Sequence, residues 1–171
     1  MKKKRKKDNK ISLNAGSVST EKPDPGLVLF DYSTFKVGNE FFAIVLGEIT
    51  EILHDIEIEK IAHLSEYYCG TIRYRGATLP VIDMCKVLKH DRPSDSINTC
   101  LLMKGYEGLY AMLVDSDVDI IKVKQEHVQP LPDCYSPEEA GILDGILVHG
   151  DNLYGILNSG EIYTRSKTKE V

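Results

Sequence analysis

Asp115, Asp117 and Asp119 alternate along the chain, with Asp83 further upstream. Carboxylates at that spacing are what a calcium loop or an acid–base pair draws on. A calcium loop also needs a glycine for its sharp turn and a distal glutamate, and neither stands at the required offset. Cys69, Cys85, Cys100 and Cys134 are 16, 15 and 34 residues apart. They form no C-x-x-C pair and have no close histidine, so the spacing opposes a structural metal site. They read as buried, reduced thiols of an intracellular chain. His54, His63, His90, His127 and His149 adjoin no serine or cysteine in a nucleophile elbow, and no G-x-x-x-x-G-K-[ST] phosphate loop occurs. The sequence therefore assigns no catalytic residue, no metal ligand and no cofactor. What remains is a binding chemistry. Arg75-Gly76 interrupts two apolar runs within Cys69–Asp83, which places a guanidinium at the tip of a hairpin.

That hairpin organises the elements around it. Gly76 supplies the positive φ that a tight turn requires without a Cβ clash. Pro80 lacks a backbone donor and is expected on an edge strand or at a bulge. Before the hairpin, strands are predicted over Leu27–Tyr32, Phe41–Leu46 and Ile49–Leu53, with Ser33–Glu40 as a connection. The charged and apolar mixture of Glu57–Tyr68 suggests a short helix. After it, Cys85–Lys89 reads as a helical turn and Asp91–Ser96 as a polar loop. Asn98–Met103 and Leu109–Val114 face each other across Lys104–Gly108, a hairpin signal. Val118–Lys122 follows. Gln125–Glu139, with Pro130, Pro132 and Pro137, should be mostly irregular. Ile142–Val148 and Leu153–Leu157 make a last hairpin, and Ser159–Lys167 a short terminal helix.

Charge is unevenly placed. Residues 1–26 hold eight basic side chains, Lys2, Lys3, Lys4, Arg5, Lys6, Lys7, Lys10 and Lys22, against Asp8, Glu21 and Asp24. With −5 overall, the remainder carries −10, which opposes nucleic acid as its ligand. The first 26 residues have too few apolar side chains to offset the entropy of ordering and are expected to be a disordered basic tail. No apolar run is long enough to span a membrane, and no secretory h-region follows the basic start.

An internal echo decides the architecture. Gly38–Leu46 resembles Gly105–Val114 with one residue added, each copy placing Gly and Glu before an aromatic-Ala pair. Ile52 and Ile120 follow at equal distance, and Gly70–Asp83 is echoed by Gly145–Asn158. The expected fold is all-β: two similar small five-stranded β-barrel lobes, intertwined and packed together with a groove between them, with few short helices. The boundaries are 1–26 for the tail, 27–165 for the two-lobed domain and 166–171 for a C-terminal tail. Leu79, Val81 and Val114 are read as core.

Ile72-Arg73-Tyr74-Arg75-Gly76-Ala77-Thr78-Leu79-Pro80-Val81-Ile82-Asp83 resembles the signature of the CheW-like family, I-N-L-R-G, a short gap, then L-P-V-x-D-L. Phe42-Ala43-Ile44 with Ile49-Thr50-Glu51-Ile52 is similar to the family's aromatic-small-Ile element followed by V-x-E-I. Leu109–Ile121, including Asp115, resembles its G-I-V-V-D segment, and Val128–Pro132 its approach to the last hairpin. The resemblance covers about residues 27–163. Arg73-Tyr74 stands where Asn-Leu is usual, and Met84 where Leu is usual. The resemblance implies a non-catalytic cytoplasmic adaptor, freestanding rather than fused to a kinase or receiver. Its implied partners are the regulatory domain of a CheA-type histidine kinase, the tips of methyl-accepting chemoreceptors and other CheW-like domains. It further implies that Ile49, Glu51 and Arg75 meet the receptor, that Arg75 and Gly76 meet the kinase, and that Glu51 and Arg75 pair. The alternative that the residues leave open is a small β-barrel module whose basic tail tethers it to an anionic polymer or membrane.

Overall fold

The structure is a computed structural model that describes residues 28–62 and 64–168. The expected tail over residues 1–26 lies outside the described residues. Eleven strands and three α-helices follow in order: β1 (Leu29–Val37), β2 (Glu40–Val45), β3 (Ile49–His54), β4 (Tyr68–Tyr74), β5 (Ala77–Asp83), α1 (Met84–Leu88), β6 (Thr99–Gly105), β7 (Gly108–Val114), β8 (Asp119–Lys124), β9 (Val128–Gln129), α2 (Pro137–Ala140), β10 (Leu143–His149), β11 (Asn152–Leu157) and α3 (Ser159–Thr168). They form two sheets. One runs β8-β1-β2-β11-β10-β9, the other β3-β6-β7-β5-β4.

The two sheets are copies of one plan, and the register shows it. Thr34 lies opposite Ala43, with Ile156 beside Ala43 in parallel. Leu102 lies opposite Ala111, with Val81 beside Ala111 in parallel. Ser33 then pairs with Ile120, and the equivalent Leu101 pairs with Ile52. The later strands of each repeat are thus exchanged: β3, β4 and β5 join the sheet of β6 and β7, while β8, β10 and β11 join that of β1 and β2. The two-lobed all-β fold read from the internal echo is the fold observed, with the two-residue β9 as a sixth strand in one sheet.

Alternation divides each inner strand between two cores. On β7, Ala111 and Leu113 point into their own lobe with Ile72, Leu79, Val81, Cys100 and Leu102. Tyr110, Met112 and Val114 point the other way, into a larger core between the lobes with Phe42, Ile44, Ile82, Leu101 and Leu157. The six-stranded lobe is filled by Tyr32, Ala43, Val123, Leu147, Tyr154 and Ile156. Strands buried on both faces read as continuous apolar runs. Each fully buried Leu, Ile or Met contributes about 1.5–3 kcal/mol, so the inter-lobe core binds the lobes into one body. Leu79, Val81 and Val114 are buried, as expected.

Several elements differ from the sequence reading. Strand β1 continues to Val37, so only Gly38-Asn39 separates β1 from β2. No helix forms over the described part of Glu57–Tyr68. Glu59 instead bridges Thr71, and Ile56 and Ile58 pack on the five-stranded core, so tertiary pairing overrides local propensity. Gly70 makes room for this crossing: a Cβ there would sit 2.3 Å from the Glu59 carbonyl oxygen. Its counterpart Gly145 admits β9, where a Cβ would lie 2.6 Å from the Gln129 carbonyl oxygen. Strand β5 is interior rather than an edge, and Pro80 stands one residue before pairing with β7 begins at Val81. Helix α2 interrupts the stretch expected to be irregular. Pro137 opens it, and Ser136 and Glu139 close a capping box. Helix α3 runs beyond the expected boundary at 165, and Ser166 is buried and hydrogen-bonded to the Tyr68 hydroxyl at 2.9 Å.

Candidate functional site

The β4–β5 hairpin turns on Arg75 (φ 48°) and Gly76 (φ 84°). Positive φ at both central residues is the pattern of a type I′ turn, which Asn and Gly fill without strain. Gly76 meets that need as predicted. Arg75 adopts the same region although a long side chain is disfavoured there, at a cost of about 1–3 kcal/mol. An arginine is retained where its backbone is strained, and its side chain is 75% exposed.

Glu51 and Arg75, expected to pair, do so at 3.1 Å between Oε2 and the guanidinium. The same Oε2 accepts a short hydrogen bond from the Tyr74 hydroxyl. The guanidinium also lies 5.0 Å from the Tyr74 ring centroid. The carboxylate pushes the Tyr74 phenol above its ordinary pKa, with a smaller contribution from burial. Beside the triad, Arg73 reaches Glu59 at 3.3 Å. Because β3 and β4 are the two edges of their sheet, these contacts close the lobe like a clasp and fix the direction of the Arg75 guanidinium. An exposed ion pair adds no more than about 1 kcal/mol of stability, so its effect is orientation.

Ile49 is not part of this tip. A register shift separates Ile49, opposite Met103, from Glu51, opposite Leu102. The half-buried Ile49 packs on the inter-lobe core. The adjacent Glu48 accepts from the Ser159 hydroxyl at 2.5 Å, across the junction of the lobes. The structure therefore joins Glu51, Arg75 and Gly76 at one tip and puts Ile49 at the inter-lobe boundary.

The acidic residues that invited an enzymatic reading are structural. Asp83 accepts from the Cys85 N–H at 3.0 Å and from Arg92 at 2.6 Å. Asp115 accepts from the Gly38 N–H at 2.7 Å, from the Cys85 thiol at 2.9 Å and, in a short contact, from Arg92. Burial opposes the charge on Arg92, yet the two aspartates hold its pKa above the ordinary value. Asp115 draws on the β1–β2 turn, α1 and the loop after α1 at once, which ties these segments together. Asp117 and Asp119 are exposed and lie outside this cluster. No cluster of three or more metal-ligating side chains occurs among the described residues. Burial raises the thiols of Cys69 to about 11 and of Cys85 and Cys100 to about 12. Cys134 is exposed and Cys69 only half-buried, contrary to the uniform burial expected of the cysteines.

Sequence reasoning missed Tyr74 and Arg92. Tyr74 was visible as a departure from the family's Leu, but its bond to a residue on a distant strand was not. Arg92 lies in a polar loop with nothing local to mark it.

With the geometry established, comparison with known proteins adds three findings. The CheW-like domain family model matches residues 31–167. Among curated relatives, the probable chemotaxis protein CheW of Rhizobium etli is 25% identical over 79% of this chain and 88% of its own length. Protein PilI of Pseudomonas aeruginosa is 32% identical over 68% of this chain and 63% of its own. The crystal structure of the scaffolding protein TtCheW from Thermoanaerobacter tengcongensis superposes with a TM-score of 0.70 at 20% identity, covering 80% of this chain and 88% of that one. No helix among the described residues is long and apolar enough to cross a membrane.

Proposed function

This chain belongs to the CheW-like domain family, and from that premise we propose that it is a non-catalytic, cytoplasmic adaptor that couples chemoreceptor tips to a CheA-type histidine kinase. The observation that carries the reading is Arg75, held in a strained backbone conformation at an exposed tip and oriented by Glu51 and Tyr74. A stability role does not explain it, since Asn or Gly would satisfy the turn better. A partner that reads a preset guanidinium does. In this reading the tip, with Gly76 leaving the backbone open to close approach, meets the kinase's CheW-like regulatory domain. Ile49 supplies apolar contact for the receptor's helical hairpin at the inter-lobe boundary, and Glu51 and Arg75 border that contact. Other CheW-like domains present the same complementary edges. The alternative of a tethered barrel module rests on residues 1–26 alone.

The test is calorimetric titration with the CheW-like regulatory domain of a histidine kinase from the same genome. Saturable one-to-one binding is expected, weakened about tenfold or more in Arg75→Ala and less in Glu51→Ala, because a central arginine at an interface is often worth 2 kcal/mol or more. Absence of wild-type binding in the micromolar range overturns the reading.

A further inference from the structure

Arg73 stands two residues before the tip arginine, near the end of β4, and the repeat has no second cation like it. Gly70 and Gly145 each end a register shift, so Arg73 opposite Thr78 corresponds to Val148 opposite Leu153. A valine satisfies the same strand position, and the fold therefore does not call for a charge there. The hairpin also projects. Pairing of β5 with β7 begins at Val81, which leaves the Arg73–Thr78 and Tyr74–Ala77 rungs without a third strand on the β5 side, and Ala77 and Thr78 are exposed.

The ion pair that Arg73 makes does not explain it either. Glu59 is already fixed by its backbone: its N–H donates to the Thr71 carbonyl at 2.8 Å, and its carbonyl accepts from the Thr71 N–H at 2.9 Å. The side-chain contact at 3.3 Å adds only an exposed ion pair, with Arg73 75% and Glu59 53% exposed. Such pairs contribute little to stability. The direction of the contact matters more. Glu59 accepts from Nε of Arg73. The two terminal nitrogens, Nη1 and Nη2, make no hydrogen bond among the described residues, and they form the end of the guanidinium that grips a carboxylate through two parallel bonds. Arg75 is likewise engaged by Glu51 through Nη2 alone. Two exposed guanidiniums are thus each held by one nitrogen, with their other donors available, on a chain whose residues 27–171 carry a net charge of −10.

We propose, resting on the kinase-binding reading of this tip, that Arg73 is a specificity-determining residue that reads an acidic side chain, Asp or Glu, on the surface of the kinase's CheW-like regulatory domain. A carboxylate set against Nη1 and Nη2 completes the fork without displacing Glu59, whose bond is to Nε. Charge also selects the approach. The acidic body repels a carboxylate-bearing surface and the tip attracts it, so encounter occurs with the hairpin foremost. An asparagine, usual in the family at this position, exerts no such pull. Arg73 therefore separates the partner of this chain from that of a relative carrying Asn.

The test uses the full chain and the regulatory domain of a histidine kinase from the same genome, with calorimetry and stopped-flow association at low and high salt. Wild-type association should slow at high salt, because screening shortens the reach of the tip's charge. Arg73→Gln should bind about three- to tenfold more weakly and lose part of that salt dependence, and Arg73→Glu should bind about tenfold or more weakly. Lys122→Gln, which removes an exposed, ion-paired cation from the other lobe, should match the wild type. Exposed acidic residues of the regulatory domain are then changed one at a time to Lys. One of these changes should weaken binding to the wild type and restore it to Arg73→Glu, a rescue that a structural role does not produce. Thermal melting verifies that the variants remain folded. Wild-type affinity and salt dependence in both Arg73 variants, an equal loss in Lys122→Gln, or no rescuing change each overturn the proposal alone. Absence of wild-type binding overturns the kinase reading and the proposal with it.

Discussion

The two hairpin tips occupy equivalent places in the repeat and have opposite characters. At β4–β5, Arg75 and Gly76 both take positive φ, and Tyr74 and Glu51 hold the arginine outward. At β10–β11 the turn is Gly150-Asp151, with positive φ at Gly150 (59°). That tip is relaxed and carries no guanidinium. What the halves share, the exchanged strands, the bulge glycines and the paired alanines, specifies the fold. What they do not share is the short helix α1 and the charged tip, where the proposed recognition is placed.

The junction offers the strongest way to break the comparison. Its α1 end is pinned by Arg92 with two aspartates, and its α3 end by Tyr163 packed against Tyr106 and Tyr110. Asp115→Ala leaves the half-buried Arg92 guanidinium with Asp83 alone and the Gly38 N–H without its acceptor, and should cost about 3 kcal/mol in urea unfolding. A loss below 1 kcal/mol would mean that the aromatic end alone holds the lobes together. Next come the bulge glycines. Gly70→Ala and Gly145→Ala should each cost about 1–3 kcal/mol by overpacking. Gly70→Ala should be the worse, since its Cβ meets the neighbouring carbonyl more closely and its φ is +154°. Equal losses would make the repeat more regular than its contacts suggest.

Alkaline pH separates the lobes more gently. The three raised thiols, Cys69, Cys85 and Cys100, all belong to the five-stranded lobe or its helix. Their folded pKa values exceed the unfolded value of about 8.5. Their contribution is thus complete below about pH 8.5 and is lost as pH rises toward 11–12. The urea midpoint should fall across that window, and Cys100→Ala should flatten the fall. The smallest stability effect belongs to the tips. Arg75→Asn relieves strain and loses an exposed ion pair, so the net change should be within about 1 kcal/mol. Kinase binding should nevertheless weaken sharply. Gly150→Arg should lower stability by about 1 kcal/mol without adding affinity, because that tip lacks a Tyr74–Glu51 pair to direct the new side chain.

Much of this was legible because the informative signals were local. Gly76 announced its turn, and the aromatic-Ala pairs at Phe42-Ala43 and Tyr110-Ala111 announced the repeat, since each strand divides its side chains between its own lobe's core and the core that the lobes share. The stretch before Tyr68 was misread as helical because its structure is decided by Thr71, across a glycine that only a folded lobe explains. The pairing of Glu51 with Arg75 was expected from family resemblance, while Tyr74, on the same carboxylate oxygen, was not. Arg92 was invisible for the same reason. Its two aspartates, Asp83 before α1 and Asp115 after β7, come from separate segments that converge on the loop, and no spacing encodes that convergence.

The exchanged strands also bear on how the protein is made. β1 and β2 cannot complete their sheet until β8, β10 and β11 have left the ribosome, and β3 waits for β6. Neither lobe can therefore close during synthesis of the first half, and the decisive pairings join residues such as Thr34 and Asp119, 85 positions apart. Such non-local topology slows folding. It also means that a nascent chain exposes β1 and β2 as open edges, a hazard of association with a neighbouring copy. The same exchange would let two half-length chains complete one another, which is how a duplicated ancestral segment could have folded before it was fused.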